Sequence, residues 1–137
     1  MIGGTHMNNP DRARQYHSQG FNCAQSVLMA SDAYTGLDAE TARKVACGFG
    51  GGVRCGEICG CITGGVMALG CRGSQSETAA LAKEMAERFR EEFGFVRCED
   101  LQSKFGGKSN CDHMIGFGAQ LTEQIMKERG FSPDQNL

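Results

Sequence analysis

The chemistry in this sequence is concentrated in the run Cys55-Gly56-Glu57-Ile58-Cys59-Gly60-Cys61-Ile62-Thr63-Gly64. An ionised thiol is both a strong nucleophile and a soft metal ligand, so thiols this close together point to redox chemistry or to metal binding. The spacing is neither the C-x₂-C of structural zinc sites nor the C-x-x-C of thioredoxin-like proteins. No Cys-x-x-Cys-His run occurs, which excludes ordinary covalent c-type haem. Residues two apart on a helix do not share a face. If Cys59 faces a site, Cys61 is therefore expected to pack inward as a small hydrophobe. Gly60, Gly64 and Ala68 follow at four-residue spacing and leave a smooth stripe on which another helix can lie close.

A second signal is the pair Asn-Cys, found at Asn22-Cys23 and again at Asn110-Cys111, each at an expected helix start. A Cys at the first helical position meets unpaired N–H groups and the positive end of the helix dipole, and both favour the thiolate. Asn caps helices whatever follows it, so one such pair means little; the repetition favours function. His113, close after Cys111, is an alternative ligand or proton carrier, although a surface His on a helix is the plainer reading; His17 is similar. Glu57 could serve as a base, but first-turn carboxylates usually just pair with the dipole. Met67, Met85, Met114 and Met126 suit core positions better than a copper thioether site. The run Gly48-Phe49-Gly50-Gly51-Gly52 lacks the Lys and Ser/Thr of a phosphate loop and reads as a tight loop bringing backbone N–H groups toward the cysteines.

These residues need helices to position them. Asp11–Ser18 reads as a short helix before Gly20. Asn22 caps a second helix running to about Tyr34, and Asp38 caps Ala39–Cys47. Residues 58–70 are apolar all round, as a central buried helix would be. Ser74 and Glu77 form a capping box ahead of an amphipathic helix to Phe93. Cys98–Lys104 is a short helix, and Asn110 caps a last one, Cys111–Arg129, before Gly130 and Pro133. No run alternates as a strand. The expected class is all-α, a compact multi-helix bundle forming one cysteine-rich domain over 8–130, followed by a C-terminal tail at 131–137.

The whole chain is 137 residues, the size of one domain, and can bury a core without disulfides. Its net charge of −2, with both signs interspersed, argues against nucleic-acid binding. The longest uncharged stretch, Ile58 to Cys71, falls short of the ~20 residues a transmembrane helix needs. Met1–Met7 has the look of an added leader and contains no apolar export segment. A cytoplasmic location is expected, where the 8 cysteines would be thiols, ligands or redox pairs rather than permanent cross-links.

Three segments together, Phe21-Asn22-Cys23-Ala24-Gln25-Ser26-Val27, then Gly48 to Gly52, then Cys59-Gly60-Cys61-Ile62-Thr63-Gly64, resemble the redox-active C-GCAxxG-C-C family. That family is similar to the cysteine domain of split-Soret cytochromes, whose haem motifs are missing here. The later pair of family cysteines is matched by Cys98, in Cys98-Glu99-Asp100-Leu101, and by Cys111. Cys61 stands where the family usually has Ala, and Cys47, Cys55 and Cys71 are further extras. The resemblance implies a small helical protein with a redox or metal role carried by Cys23, Cys59, Cys98 and Cys111; by their positions alone, Cys55, Cys61 and His113 are secondary candidates. Four thiols from separate helix starts match the ligand count of an iron–sulfur cluster or of zinc. The expected cofactor is an iron–sulfur cluster of the 2Fe-2S type, for electron transfer or sensing. A metal-free dithiol/disulfide oxidoreductase and a zinc- or copper-binding module are the alternatives. A redox protein partner is expected, and a homodimer is left open; no catalytic motif decides whether the chain is an enzyme.

Overall fold

The computed structural model describes residues 8–133, so the leader at 1–7 and the end of the tail at 134–137 lie outside it. Eight α-helices follow one another: α1 (Asn9–Ser18), α2 (Cys23–Ala30), α3 (Asp32–Thr35), α4 (Ala39–Ala46), α5 (Gly60–Gly70), α6 (Gln75–Phe93), α7 (Cys98–Phe105) and α8 (Gly107–Glu128). The all-α class is as expected. No helix among the described residues is long and apolar enough to cross a membrane.

α5 is the centre. Cys61, Ile62, Gly64, Gly65, Ala68 and Leu69 are buried, because the helix is enclosed by α2, α6 and α8. α1 closes the bundle over α2 and α8. The glycine stripe lets α2 sit against α5 backbone to backbone. A Cβ at Gly64 would stand 2.7 Å from the Ala24 carbonyl oxygen, closer than carbon can approach. Met85, Phe89, Met114, Ile115, Ile125 and Met126 complete the core, so three of the four methionines singled out serve packing; Met67 is only partly buried.

Local chemistry explains most helix limits. The Asn22 side chain accepts from Gln25 N while Gln25 Oε1 accepts from Asn22 N, a reciprocal cap repeated by Ser74 and Glu77. The second helix ends earlier than expected. Arg12 Nη1 takes the Ala30 carbonyl at 3.1 Å and Ser31 Oγ donates to Val27 O, so the chain turns at Ser31 and restarts as α3. The last helix starts earlier than expected, at Gly107, because Asn110 is not its cap. Its amide instead donates back to the carbonyls of Phe105 and Gly106 at 2.6 Å. The start of the tail is tied down, with Arg72 Nη1 donating to Ser132 O and its guanidinium stacked over Phe131.

Two irregular segments were invisible to helical periodicity. The stretch before α5 pairs with the stretch before α7 through an isolated antiparallel bridge, Ile58 to Arg97. Cys59 N donates to Val96 O at 2.8 Å and Cys98 N to Glu57 O at 2.6 Å. After a 3-10 turn at Cys47–Phe49, the glycine run continues into a left-handed turn in which Gly51, Gly52, Val53 and Arg54 all have positive φ. Glu57 N closes it on Gly52 O at 3.0 Å. Val53 at φ 58° is a β-branched residue in a conformation costing roughly 1–2 kcal/mol.

Candidate functional site

Cys23, Cys59, Cys61, Cys98 and Cys111 line one small apolar cavity of about 20 Å³, closed by Leu101, Gln102 and Met114. Each arrives by a different local device. Cys23 opens α2 directly after its Asn22 cap. Cys59 is the residue before α5, in extended conformation, and Cys98 is the first residue of α7; the short bridge holds these two helix starts side by side. Gly60 makes room for the Cys23 sulfur, which a Cβ at that position would strike. Gly118 of α8 lies against Cys61, where an added Cβ would stand 3.1 Å from the Cys61 Cβ.

The sulfurs are not equivalent. The thiols of Cys59 and Cys61 hydrogen-bond to the Cys23 sulfur and pull its pKa far below the ordinary thiol value. Burial opposes the shift, and the backbone N–H groups of Gly51 and Ala24 add to it. Cys59 moves up, chiefly because its proton is held by Cys23. Cys61 also moves well up, through its hydrogen bonds with Cys23 and Cys59 and through burial. One negative charge shared by three sulfurs therefore rests on Cys23, the sulfur at a helix N-terminus. On the other side of the cavity the pattern reverses. Burial pushes the Cys98 thiol up, and the nearby Cys23 and Cys111 sulfurs push it further. Cys111 Sγ accepts from Gln102 Nε2 at 3.1 Å.

Several expectations change. Cys61 packs in the core, as expected, but it also lines the cavity of the site. Because Cys59 precedes the helix instead of belonging to it, the two-apart helix rule does not govern the pair. Cys111 is not at a helix start; with α8 beginning at Gly107 it lies past the first turn, where N–H groups are already paired. Cys55 is exposed and only touches Gly52 O at 3.4 Å, away from the cavity, and Cys47 and Cys71 are exposed as well. His113 is brought elsewhere, edge-on to Phe93 at 5.8 Å in a separate hollow with Phe105 and Asn110. His17 Nδ1 meets Asp112 Oδ1 at 3.2 Å between α1 and α8. Glu57 pairs with Arg97 at 3.2 Å, and Arg97 also reaches Glu99 and Asp100. The glycine loop does bring an N–H to a cysteine, through Gly51. Gln102 had no signal in the sequence, since a polar residue on a short amphipathic helix looks like surface.

All eight cysteines are free thiols. Among the described residues no three Cys, His, Asp or Glu side chains are grouped as a metal-binding set, although five thiols share a cavity. The arrangement can share a proton among three sulfurs, and it can close a disulfide within the trio. No curated protein and no solved structure matches the chain. Residues 21–125 match the family described as putative redox-active protein (C_GCAxxG_C_C), and the chain belongs to that family.

Proposed function

We propose that this member of a redox-active family is a dithiol/disulfide protein in which Cys23 attacks and Cys59 resolves. The observation that carries the reading is the convergence of Cys23, Cys59 and Cys61 on one cavity, where the other two thiols lower the pKa of Cys23. The Cys23 thiolate attacks a small two-electron oxidant X–Y, a disulfide or a peroxide, forming Cys23–S–X as the X–Y bond breaks and Y⁻ leaves. Cys59 gives up its proton and attacks the Cys23 sulfur, expelling X⁻, which takes that proton. One thiolate, one thiol and X–Y thus become one protein disulfide, X–H and Y⁻. A reducing protein of the cytoplasm would return the site to its dithiol state.

An iron–sulfur cluster or zinc ion held by Cys23, Cys59, Cys98 and Cys111 is the second reading. The presence of all four around one cavity favours it, and such a group would supply one-electron transfer or a structural cross-link. It ranks second because, among the described residues, no three Cys, His, Asp or Glu side chains are grouped as a metal-binding set.

The test is anaerobic oxidation of reduced protein with diamide, followed by mass mapping. The expected product has lost two hydrogens and contains a Cys23–Cys59 peptide link. Retention of all eight thiols, or tightly held iron and sulfide that block the cysteines, would overturn the dithiol reading.

A further inference from the structure

We propose that the natural oxidant of this site is a hydroperoxide no larger than hydrogen peroxide, taken into the five-cysteine cavity, and that Cys61 donates the proton its leaving oxygen needs. The inference rests on the dithiol reading and adds to it the substrate class and a role for a third sulfur. The cavity measures about 20 Å³, walled by Leu101 and Met114, which are 1% and 3% exposed. That is the space of one small molecule of two heavy atoms at most, and it leaves no room for a peptide or glutathione moiety beside the sulfur. The walls are apolar, so the polar partners offered to an entering peroxide come from the sulfurs and from Gln102.

Peroxide reduction needs two separate services, and two further thiols, Cys59 and Cys61, line the cavity beside Cys23. In the first step the Cys23 thiolate attacks one oxygen of HOOH. The O–O bond breaks, Cys23 becomes a sulfenic acid, and the departing hydroxide takes the Cys61 proton to leave as water. In the second step Cys59 passes its proton to the Cys61 thiolate and attacks the Cys23 sulfur. The S–O bond breaks, hydroxide leaves, and the Cys23–Cys59 disulfide forms. Sulfur gives up two electrons and oxygen receives them; the balance is one thiolate, one thiol and HOOH going to one disulfide, water and hydroxide. The division of labour follows from position. Cys61 is 1% exposed inside α5 and pinned by Gly118, so it can pass a proton but cannot travel. Cys59 sits one residue ahead of α5, outside the helix, and lines the cavity with Cys23, which makes it the thiol placed to form the bond.

Stopped-flow oxidation of the full reduced chain by hydrogen peroxide, cumene hydroperoxide and oxidised glutathione tests the size argument. Hydrogen peroxide should outpace both bulky oxidants by about tenfold or more. Met114→Ala, and independently Leu101→Ala, should narrow the gap to cumene hydroperoxide by enlarging the cavity. Cys61→Ala should slow peroxide oxidation by roughly 100-fold, while diamide still yields the Cys23–Cys59 disulfide. In Cys59→Ser, peroxide should leave a sulfenic acid on Cys23 that dimedone traps. Equal rates for all three oxidants, or fastest oxidation by oxidised glutathione, would overturn this inference and leave the dithiol reading standing. Peroxide oxidation unaffected by Cys61→Ala would remove the assigned role of Cys61. Failure of diamide to form any disulfide would sink the dithiol reading itself.

Discussion

The two sides of the cysteine cavity are built from the same residue and behave oppositely. On one side α2 and α5 approach through glycine, and Cys23, Cys59 and Cys61 share a proton deficit that settles on Cys23. On the other side α7 and α8 supply Cys98 and Cys111, half-buried, with Cys98 kept protonated by burial and Cys111 fastened by a neutral amide. Two of the helix-start cysteines, Cys23 and Cys98, therefore shift in opposite directions. A helix N-terminus alone does not make a thiolate; converging donors do, and Cys23 receives two thiols, Cys59 and Cys61, as well as backbone N–H groups.

The contrast can be broken most forcefully at Gly64. Gly64→Leu drives side-chain atoms into the Ala24 backbone and should destabilise the protein by about 3 kcal/mol or more, read by thermal unfolding. An unchanged melting temperature would mean the α2–α5 side is no tighter than the α7–α8 side. Chemically, Cys23 should alkylate at pH 7 at least about tenfold faster than Cys98, followed by peptide mapping. Cys23→Ser should remove the fast phase, and Cys111→Ser should leave it.

The pH dependence sharpens the same point. Because the folded pKa of Cys23 is depressed, its ionisation adds stability that grows as pH rises toward the ordinary thiol value near 9.0 and is lost as pH falls through the folded value. Cys59, Cys61 and Cys98 are raised, so above that ordinary value they withdraw stability as pH rises further. Denaturant titrations should show stability climbing through neutral pH and turning down in alkali, with the climb much shallower in Cys23→Ser. A climb of the same slope in that variant would place the charge on another sulfur.

Smaller effects separate capping from chemistry. Asn22→Ala and Ser74→Ala should each cost about 1 kcal/mol. Only Asn22→Ala should also slow Cys23, because the Asn22 amide holds the glycine loop by donating to Cys47 O at 2.9 Å. Smallest of all, Cys47→Ser and Cys71→Ser should change stability by less than about 0.5 kcal/mol and leave the fast thiol untouched.

The caps made much of this architecture legible. Asn22, Asp38 and Ser74 each accept from the N–H three residues on, so those helix starts could be read from residue type alone. Asn110 shows the limit of that reasoning. The same side chain with its amide turned backward lies inside a helix, and nothing local distinguishes the two uses. The bridge at Ile58 and Arg97 joins residues far apart in sequence, and a bridge one pair long has no periodicity to detect. The orientation of Cys61 depended on that bridge, because it decides that Cys59 stays outside α5. Sequence could nominate the cysteines, whereas their division into a trio around Cys23 and a separate pair on α7 and α8 is a property of the tertiary contacts.

The left-handed turn at Gly51–Arg54 has a kinetic consequence. Every helix around it winds the other way, and two L-residues without glycine's freedom are held in it by their neighbours. Such a segment is expected to let go before the bundle does, so amide exchange at Glu57, which closes the turn, should report an opening free energy well under that of α5. Gly51 belongs to the same turn and points its N–H at Cys23. Opening of this turn would take a donor away from Cys23, so local unfolding here is expected to change the reactivity of that sulfur.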